Sequence, residues 1–177
     1  MKFDHYILRP PLSEDAESVF ELIMTNKPRL IDYFPLAVGS IHSLIDTAEY
    51  IKLKTAQLEK KEAYTWLIID TKTEKPIGFT FIKNIEWKIP KAEIAYYIDK
   101  HYEGKGIVSK ALKLTITYCF DALKMNKLFL RAAIDNPASQ RVAIKNGFLR
   151  EGILRSDFRK ADGKLIDLHY YGLVKQA

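Results

Sequence analysis

Apolar and polar positions change period several times along the chain, and each change marks an element. Tyr6, Ile7 and Leu8 form a short apolar run that Pro10 and Pro11 end, which predicts a strand at 6–9. Ser13 then reads as an N-cap, followed by Glu14, Asp15 and Glu17, acidic groups suited to the positive end of a helix. Ala16, Val19, Phe20 and Ile23 recur at helical spacing, so a helix is expected to about Asn26. The stretch 27–40 holds two prolines and a glycine and reads as a loop or a broken helix. A second helix is expected from Ser43, with Leu44, Ala48, Ile51, Thr55 and Leu58 on its apolar stripe.

Strand patterns follow. Tyr64 to Asp70 and Pro76 to Asn84 read as a hairpin across the polar turn 71–75. Lys91 to Asp99 is a third long strand, in which Ile94, Tyr96 and Ile98 alternate with Glu93, Ala95 and Tyr97. Helical spacing returns at 105–123, through Ile107, Ala111, Leu114, Tyr118 and Ala122. An apolar strand at 127–133 precedes a short helix at 137–146, opened by Pro137 and stopped by Gly147. Two final strands, 148–158 and 165–174, flank the turn pair Asp162-Gly163. This order predicts one α/β (α+β) domain over 1–177, with a mixed, mostly antiparallel sheet of about seven strands and flanking helices.

Composition narrows the function classes. With 177 residues, 47% hydrophobic and 28% charged, the chain can bury a full core. No apolar run approaches membrane-spanning length, and Met1 to Tyr6 lacks the apolar stretch of a secretory leader, so a cytoplasmic location is expected. Cys119 is the one cysteine and reads as a buried helix residue; no His/Cys spacing suits a metal, and none is expected. The net charge of +6 is spread along the chain without a dense Lys/Arg run, so direct nucleic-acid binding is not expected.

The stretch Ile94 to Leu112 carries the chemistry: a strand, a turn with Gly104 and Gly106, then a helix. The first turn of a helix offers free N–H groups and the positive end of its dipole, which suits a diphosphate. Lys105 and Ser109 could add a charge and a hydroxyl. The spacing is neither a Walker A loop nor the Rossmann fingerprint, since Ser109 stands where a third glycine would.

This segment resembles motif A of the GNAT superfamily, Arg/Gln-x-x-Gly-x-Gly/Ala, with His101 departing from its first position. Asn136-Pro137-Ala138-Ser139 and Lys145-Asn146-Gly147-Phe148 resemble a second block of that family. Ala92 to Ile98, and the opening Leu8-Arg9-Pro10 with Asp15-Ala16, resemble its RimJ/RimL group. The resemblance implies the GNAT fold, with a splay between the fourth and fifth strands, and transfer of an acetyl group from acetyl-CoA to a primary amine. The N-terminal amino group of a protein is the acceptor it favours, a ribosomal protein included. A small-molecule amine (polyamine, amino acid or antibiotic) and a non-catalytic CoA-binding module are the alternatives. Homodimers are common in this group.

By the same resemblance Tyr96, Tyr97, Ile98, His101, Gly104, Lys105, Gly106, Ile107, Val108, Ser109, Asn136 and Lys145 are expected to hold the cofactor. Ser139 is the candidate acid for the departing thiolate, or else a hydroxyl bonding its own helix. Glu93 is the candidate base, directly or through water, or else a solvated strand-edge carboxylate. Trp66, Trp87, Tyr33 and Phe34 are either acceptor-groove or core aromatics. His5, His42 and His169 read as structural.

Overall fold

The computed structural model describes residues 1–176. The described strands are β1 (Lys2–Phe3), β2 (Tyr6–Arg9), β3 (Tyr64–Asp70), β4 (Lys75–Glu86), β5 (Lys91–Ile98), β6 (Lys127–Ala133), β7 (Leu149–Arg159) and β8 (Leu165–Val174). The helices are α1 (Ala16–Leu30), α2 (Pro35–Gly39), α3 (Leu44–Glu59), α4 (Ile107–Asp121) and α5 (Pro137–Lys145). One sheet holds all eight strands in the order β1-β2-β3-β4-β5-β6-β8-β7. Only β5 and β6 run parallel. The strand beyond the expected seven is β1, which folds back so that Lys2 faces Ile7. Two residues are too few for a period to show.

Alternation along the strands divides the core into two layers. Trp66, Ile68, Ile82, Ile94, Leu128 and Leu130 pack with Ile107, Ala111, Leu112 and Cys119 of α4. Leu67, Ile69, Phe79, Phe81 and Tyr97 point to the opposite face and pack with Val19, Leu22 and Ile23 of α1 and Ile51 of α3. Cys119 is buried, as expected of a lone free cysteine on a helix, and burial pushes its thiol up to about 12. Among the described residues no helix is long and apolar enough to cross a membrane.

The helices before the meander differ from expectation. α1 runs through Pro28 to Leu30. Pro28 lies in the last turn on an exposed side, so the carbonyl it cannot bond is left towards solvent. The segment expected as a loop contains α2, with Pro35 at its first position. In α3, Ser43 caps the helix by accepting from the Asp46 N–H. Its buried residues are Thr47 and Ile51; Leu44, Ala48 and Thr55 are exposed. Docking selects the row through Thr47, Ile51 and Leu58, and the sequence stripe overlaps that row only at Ile51 and Leu58.

The entry to α1 is fixed by a bidentate pair. Arg9 Nη1 and Nη2 lie 2.6 and 2.7 Å from the two Asp15 carboxylate oxygens, and the Leu12 N–H donates to the same carboxylate at 2.7 Å. Burial pushes the Asp15 carboxyl up, but the Arg9 and Leu12 hydrogen bonds outweigh it and hold the group below its ordinary range. A depressed folded value means the stabilisation is whole above the unfolded value of about 3.9 and is lost as pH falls through the folded value. Asp15→Asn should therefore lower stability at neutral pH by about 1–3 kcal/mol. Thermal melts should show the gap to wild type closing as the pH is taken from about 4 towards 2. A gap that persists in acid would place the effect elsewhere.

Candidate active site

β5 and β6 are partnered only at Lys91–Lys127, Ala92–Leu128 and Glu93–Phe129. Yet β5 continues to Ile98 and β6 to Ala133, so beyond Glu93 the two diverge and leave a slot. This is the splay expected between the fourth and fifth strands, displaced by one in number because β1 is counted. The slot is lined by Ile94, Ala95 and Tyr96 of β5, by 130–133 of β6, and by Asn136 and Ser139 at the start of α5. Clefts at the carboxyl ends of diverging parallel strands are where such sheets take ligands.

The backbone of β5 is prepared on that side. The Asp99 N–H donates to the Ile77 carbonyl at 2.7 Å, continuing the register in which Ile98 faces Gly78. Odd residues of β5 thus bond to β4, and alternation turns the N–H and C=O of Tyr96 and the N–H of Ile98 towards the slot, the Ile98 carbonyl being taken by Arg29. An extended ligand with amide groups could pair there as a strand would.

Past β5 a short 3₁₀ turn, Lys100–Tyr102, is capped by Asp99, which accepts from the His101 N–H at 2.7 Å. Burial pushes the Asp99 carboxyl up, but hydrogen bonds from Asn26 and His101 outweigh it and hold it below its ordinary range. Gly104 and Gly106 follow with φ of +73° and +75°, and Gly106 is the N-cap of α4. Such angles disfavour any residue with a Cβ. A Cβ built at either glycine meets no atom within 4 Å, so the approach to the loop is open.

The expected site residues divide accordingly. Glu93, Tyr96, Asn136 and Ser139 converge on the slot. The 101–109 loop lies beyond the end of β5 and is not part of the slot lining. There, His101 is exposed with Nδ1 2.9 Å from Asp99; Lys105 Nζ sits 5.0 Å from the Tyr102 ring centre; and Ser109 Oγ accepts from Asn146 Nδ2 at 2.9 Å. Ile107 is buried, Val108 is half-buried, and Lys145 is exposed in the last turn of α5. The Tyr97 side chain points into the α1–α3 layer, 5.0 Å from Phe79 and 5.4 Å from Phe34, and its main chain pairs with β4, so this expected cofactor residue is turned away from the slot.

Two residues outside the expected set hold this region. Asn26, 3% exposed, donates to Asp99 at 2.9 Å and accepts from the Lys100 N–H at 3.1 Å. Arg29 donates to the Ile98 carbonyl at 2.5 Å and pairs with Glu103. Both sit more than sixty positions from their partners, and no local pattern marks them.

Glu93 is not a solvated strand-edge carboxylate: it is 3% exposed. Its oxygens accept from Arg131 Nε at 3.2 Å, Arg131 Nη2 at 3.0 Å and Asn84 Nδ2 at 2.5 Å, with Lys83 Nζ at 3.6 Å. Arg131 also reaches Asp157 at 2.8 Å. That contact depends on an irregularity in β7: Leu154 pairs with Leu168 but Phe158 with Ile166, and Ser156 adopts φ of +50°. The same bulge carries Phe158 to the slot.

Ser139 Oγ lies 3.0 Å from Tyr96 Oη, and the Ser139 N–H donates to Asn136 Oδ1 at 3.1 Å. Asn136 is thereby the cap of α5, leaving its amide nitrogen as the donor it can offer a ligand. Burial pushes the Tyr96 hydroxyl up to about 12. Of the candidate aromatics, Tyr33 and Phe34 line the slot. Trp66 packs in the core, 4.7 Å from Tyr118, and Trp87 is exposed on the β4–β5 turn. His5 stacks 4.1 Å from Tyr6, and His42 lies 3.4 Å from Lys27. His169 is buried on β8, outside the slot lining.

A slot with strand amides turned into it, an open helix N-terminus beside it and hydroxyl and carboxylate groups on its walls suits transfer of a group from a long, diphosphate-bearing donor. Comparison with known proteins agrees. The family described as the acetyltransferase (GNAT) domain matches residues 5–149. YdaF of Bacillus subtilis (strain 168), named as a candidate ribosomal N-acetyltransferase, is 35% identical over 98% of this chain and 93% of its own. The ribosomal-protein-serine acetyltransferase of Escherichia coli (strain K12) is 32% identical over 54% of this chain and 53% of its own. RimL, the ribosomal L7/L12 alpha-N-protein acetyltransferase solved with coenzyme A, superposes with a TM-score of 0.90. It covers 97% of this chain and 95% of its own at 22% identity, a likeness of fold.

Proposed function

This chain belongs to the GNAT acetyltransferase family, and from that premise we propose that it transfers the acetyl group of acetyl-CoA to the N-terminal amino group of a protein, a ribosomal protein being the favoured acceptor class. We read residues 1–177 as one domain acting in the cytoplasm. The observation that carries the reading is the parallel pair β5–β6, which is paired for three residues and then opens. Acetyl-CoA fits the groups present. Its pantetheine arm would lie along Tyr96 and Ile98, with Asn136 beside it. Its diphosphate would meet the N–H groups around Gly104–Ser109, where Gly104 and Gly106, with φ of +73° and +75° and no Cβ, leave the approach open.

The acceptor would enter past Tyr33, Phe34 and Phe158. The charged side chains of the slot lining are Lys83, Glu93 and Arg131, and the one carboxylate is already matched by the two cations. A polyamine brings further positive charge that this wall does not balance, whereas a peptide N-terminus brings a single amine and a chain that can lie on aromatic rings. Glu93 is our candidate to take the amine proton through a water, held in place by Arg131. A base within reach contributes about 10²–10⁴-fold.

The test is incubation with acetyl-CoA and a panel of N-terminal peptides, spermidine and amino acids, read as free thiol release. N-terminal peptides should turn over at least tenfold faster than the small amines. Preference for spermidine would reassign the acceptor. Cofactor binding without thiol release on any amine would point to a module that binds CoA and does not catalyse.

A further inference from the structure

A contact on the slot wall has no counterpart in the roles assigned so far. The Tyr96 hydroxyl lies 3.0 Å from Ser139 Oγ and 3.1 Å from the Ser139 carbonyl oxygen. The two residues are 43 positions apart and are brought together by β5 on one wall and α5 on the other. We propose that Tyr96 is a positioning residue: its hydroxyl donates to Ser139 Oγ and so turns the Ser139 proton into the slot. This rests on the acetyl-transfer reading above and names a residue that sets its last proton step.

The direction of the hydrogen bond decides the role. If Ser139 donated to Tyr96, its one proton would point at the ring oxygen and away from a ligand. Ser139 is the third residue of α5, so its carbonyl faces the Ala143 N–H of the next turn and is served by the helix. The Tyr96 hydroxyl also donates towards that carbonyl at 3.1 Å, as a second donor to it, while Oγ, at 3.0 Å, is the oxygen with no other donor among the described contacts. Tyr96 can supply one at any ordinary pH, because burial holds its proton to about 12. The backbone of Ser139 is fixed in turn by its N–H bond to Asn136 Oδ1 at 3.1 Å, so the hydroxyl has few orientations left.

The amine nitrogen bonds to the acetyl carbon, and the carbon–sulfur bond breaks with its electron pair going to sulfur. Sulfur takes the Ser139 Oγ proton, and the nitrogen loses one proton through a water to Glu93, which returns it to solvent. Ser139 Oγ regains a proton from solvent. Tyr96 keeps its own throughout, and its hydrogen bond stabilises the charge that builds on Oγ as the proton leaves.

The experiment is a double-mutant cycle of Tyr96→Phe and Ser139→Ala, following thiol release for turnover and CoA-induced thermal stabilisation for binding. Tyr96→Phe should lower kcat about tenfold, the worth of one aligned hydrogen bond, with KM for acetyl-CoA and the CoA shift unchanged. In the Ser139→Ala background it should do almost nothing further. The same factor in both backgrounds would show Tyr96 acting elsewhere and overturn the proposal, as would an unchanged kcat or a loss confined to KM. Full activity in Ser139→Ala would dispose of the donor and of its positioning residue together. A wild-type protein that binds CoA and acetylates nothing is a different failure, that of the function reading itself, and the inference falls with it.

Discussion

Valine at Gly106 should abolish CoA binding while leaving the protein folded. Gly106 is the N-cap of α4 at φ of +75°, a conformation that a β-branched residue avoids. Space is not the obstacle, since a Cβ there meets nothing within 4 Å. The backbone is: to relieve φ, the peptide planes on either side must rotate, and they carry the N–H groups that would face the diphosphate. Losing two charge-assisted bonds of about 1.5–3 kcal/mol each weakens binding by about 10²–10⁴-fold. The strain on the free protein is smaller, about 1–3 kcal/mol. In thermal melts with millimolar CoA, wild type should rise, as a ligand of the folded state requires. Gly106→Val should melt somewhat lower and not respond. An equal shift in the variant would show that the diphosphate is held elsewhere.

The second large effect is on stability. Arg131→Met should cost about 3 kcal/mol, near the lower end of what breaking a buried ion pair costs. The reason lies in what remains. Glu93 is 3% exposed, and without the guanidinium its carboxylate keeps only Asn84 and the more distant Lys83. Asp157 also loses its partner, but its side chain is 37% exposed and water can replace Arg131 there. Adding Glu93→Gln to Arg131→Met should recover part of the loss, because the unmatched charge is then gone. Denaturant unfolding of the two single variants and the double would check this. A double variant no more stable than Arg131→Met would mean that packing by the arginine stem, and not charge, is what is lost.

The extent to which the chain announced this arrangement varies with the range of the forces involved. Tyr64–Asp70, Lys127–Ala133 and Leu165–Val174 begin and end where their patterns do, because runs rich in apolar and β-forming residues bounded by turn residues are local signals. The turn with Gly104 and Gly106 was legible for the same reason: backbone conformation there needs particular residues. The buried face of α3 was not, since Leu44 and Ala48 are as apolar as the row that docks, and only the surfaces of α1 and β3 choose between them. Asn26, Arg29 and Tyr96 escaped notice as organisers because their partners lie 43 to 74 positions away. The surroundings of Glu93 follow from the β5–β6 register, which brings Arg131 of the neighbouring strand within reach. No spacing in the sequence encodes that meeting.

The kinked outer strand has a consequence for how these molecules tolerate crowding. β7 is an eleven-residue strand at the sheet's margin, with Leu149 and Ile153 laid open to water. A straight ribbon of that length would invite other chains to add on one after another, the beginning of fibrous precipitation. At 155–157 the extra residues and the positive φ of Ser156 break the ribbon in two. A newcomer aligned on the first half is out of step with the second, so the insertion that brings Asp157 to Arg131 and Phe158 to the slot also keeps the margin from acting as a template.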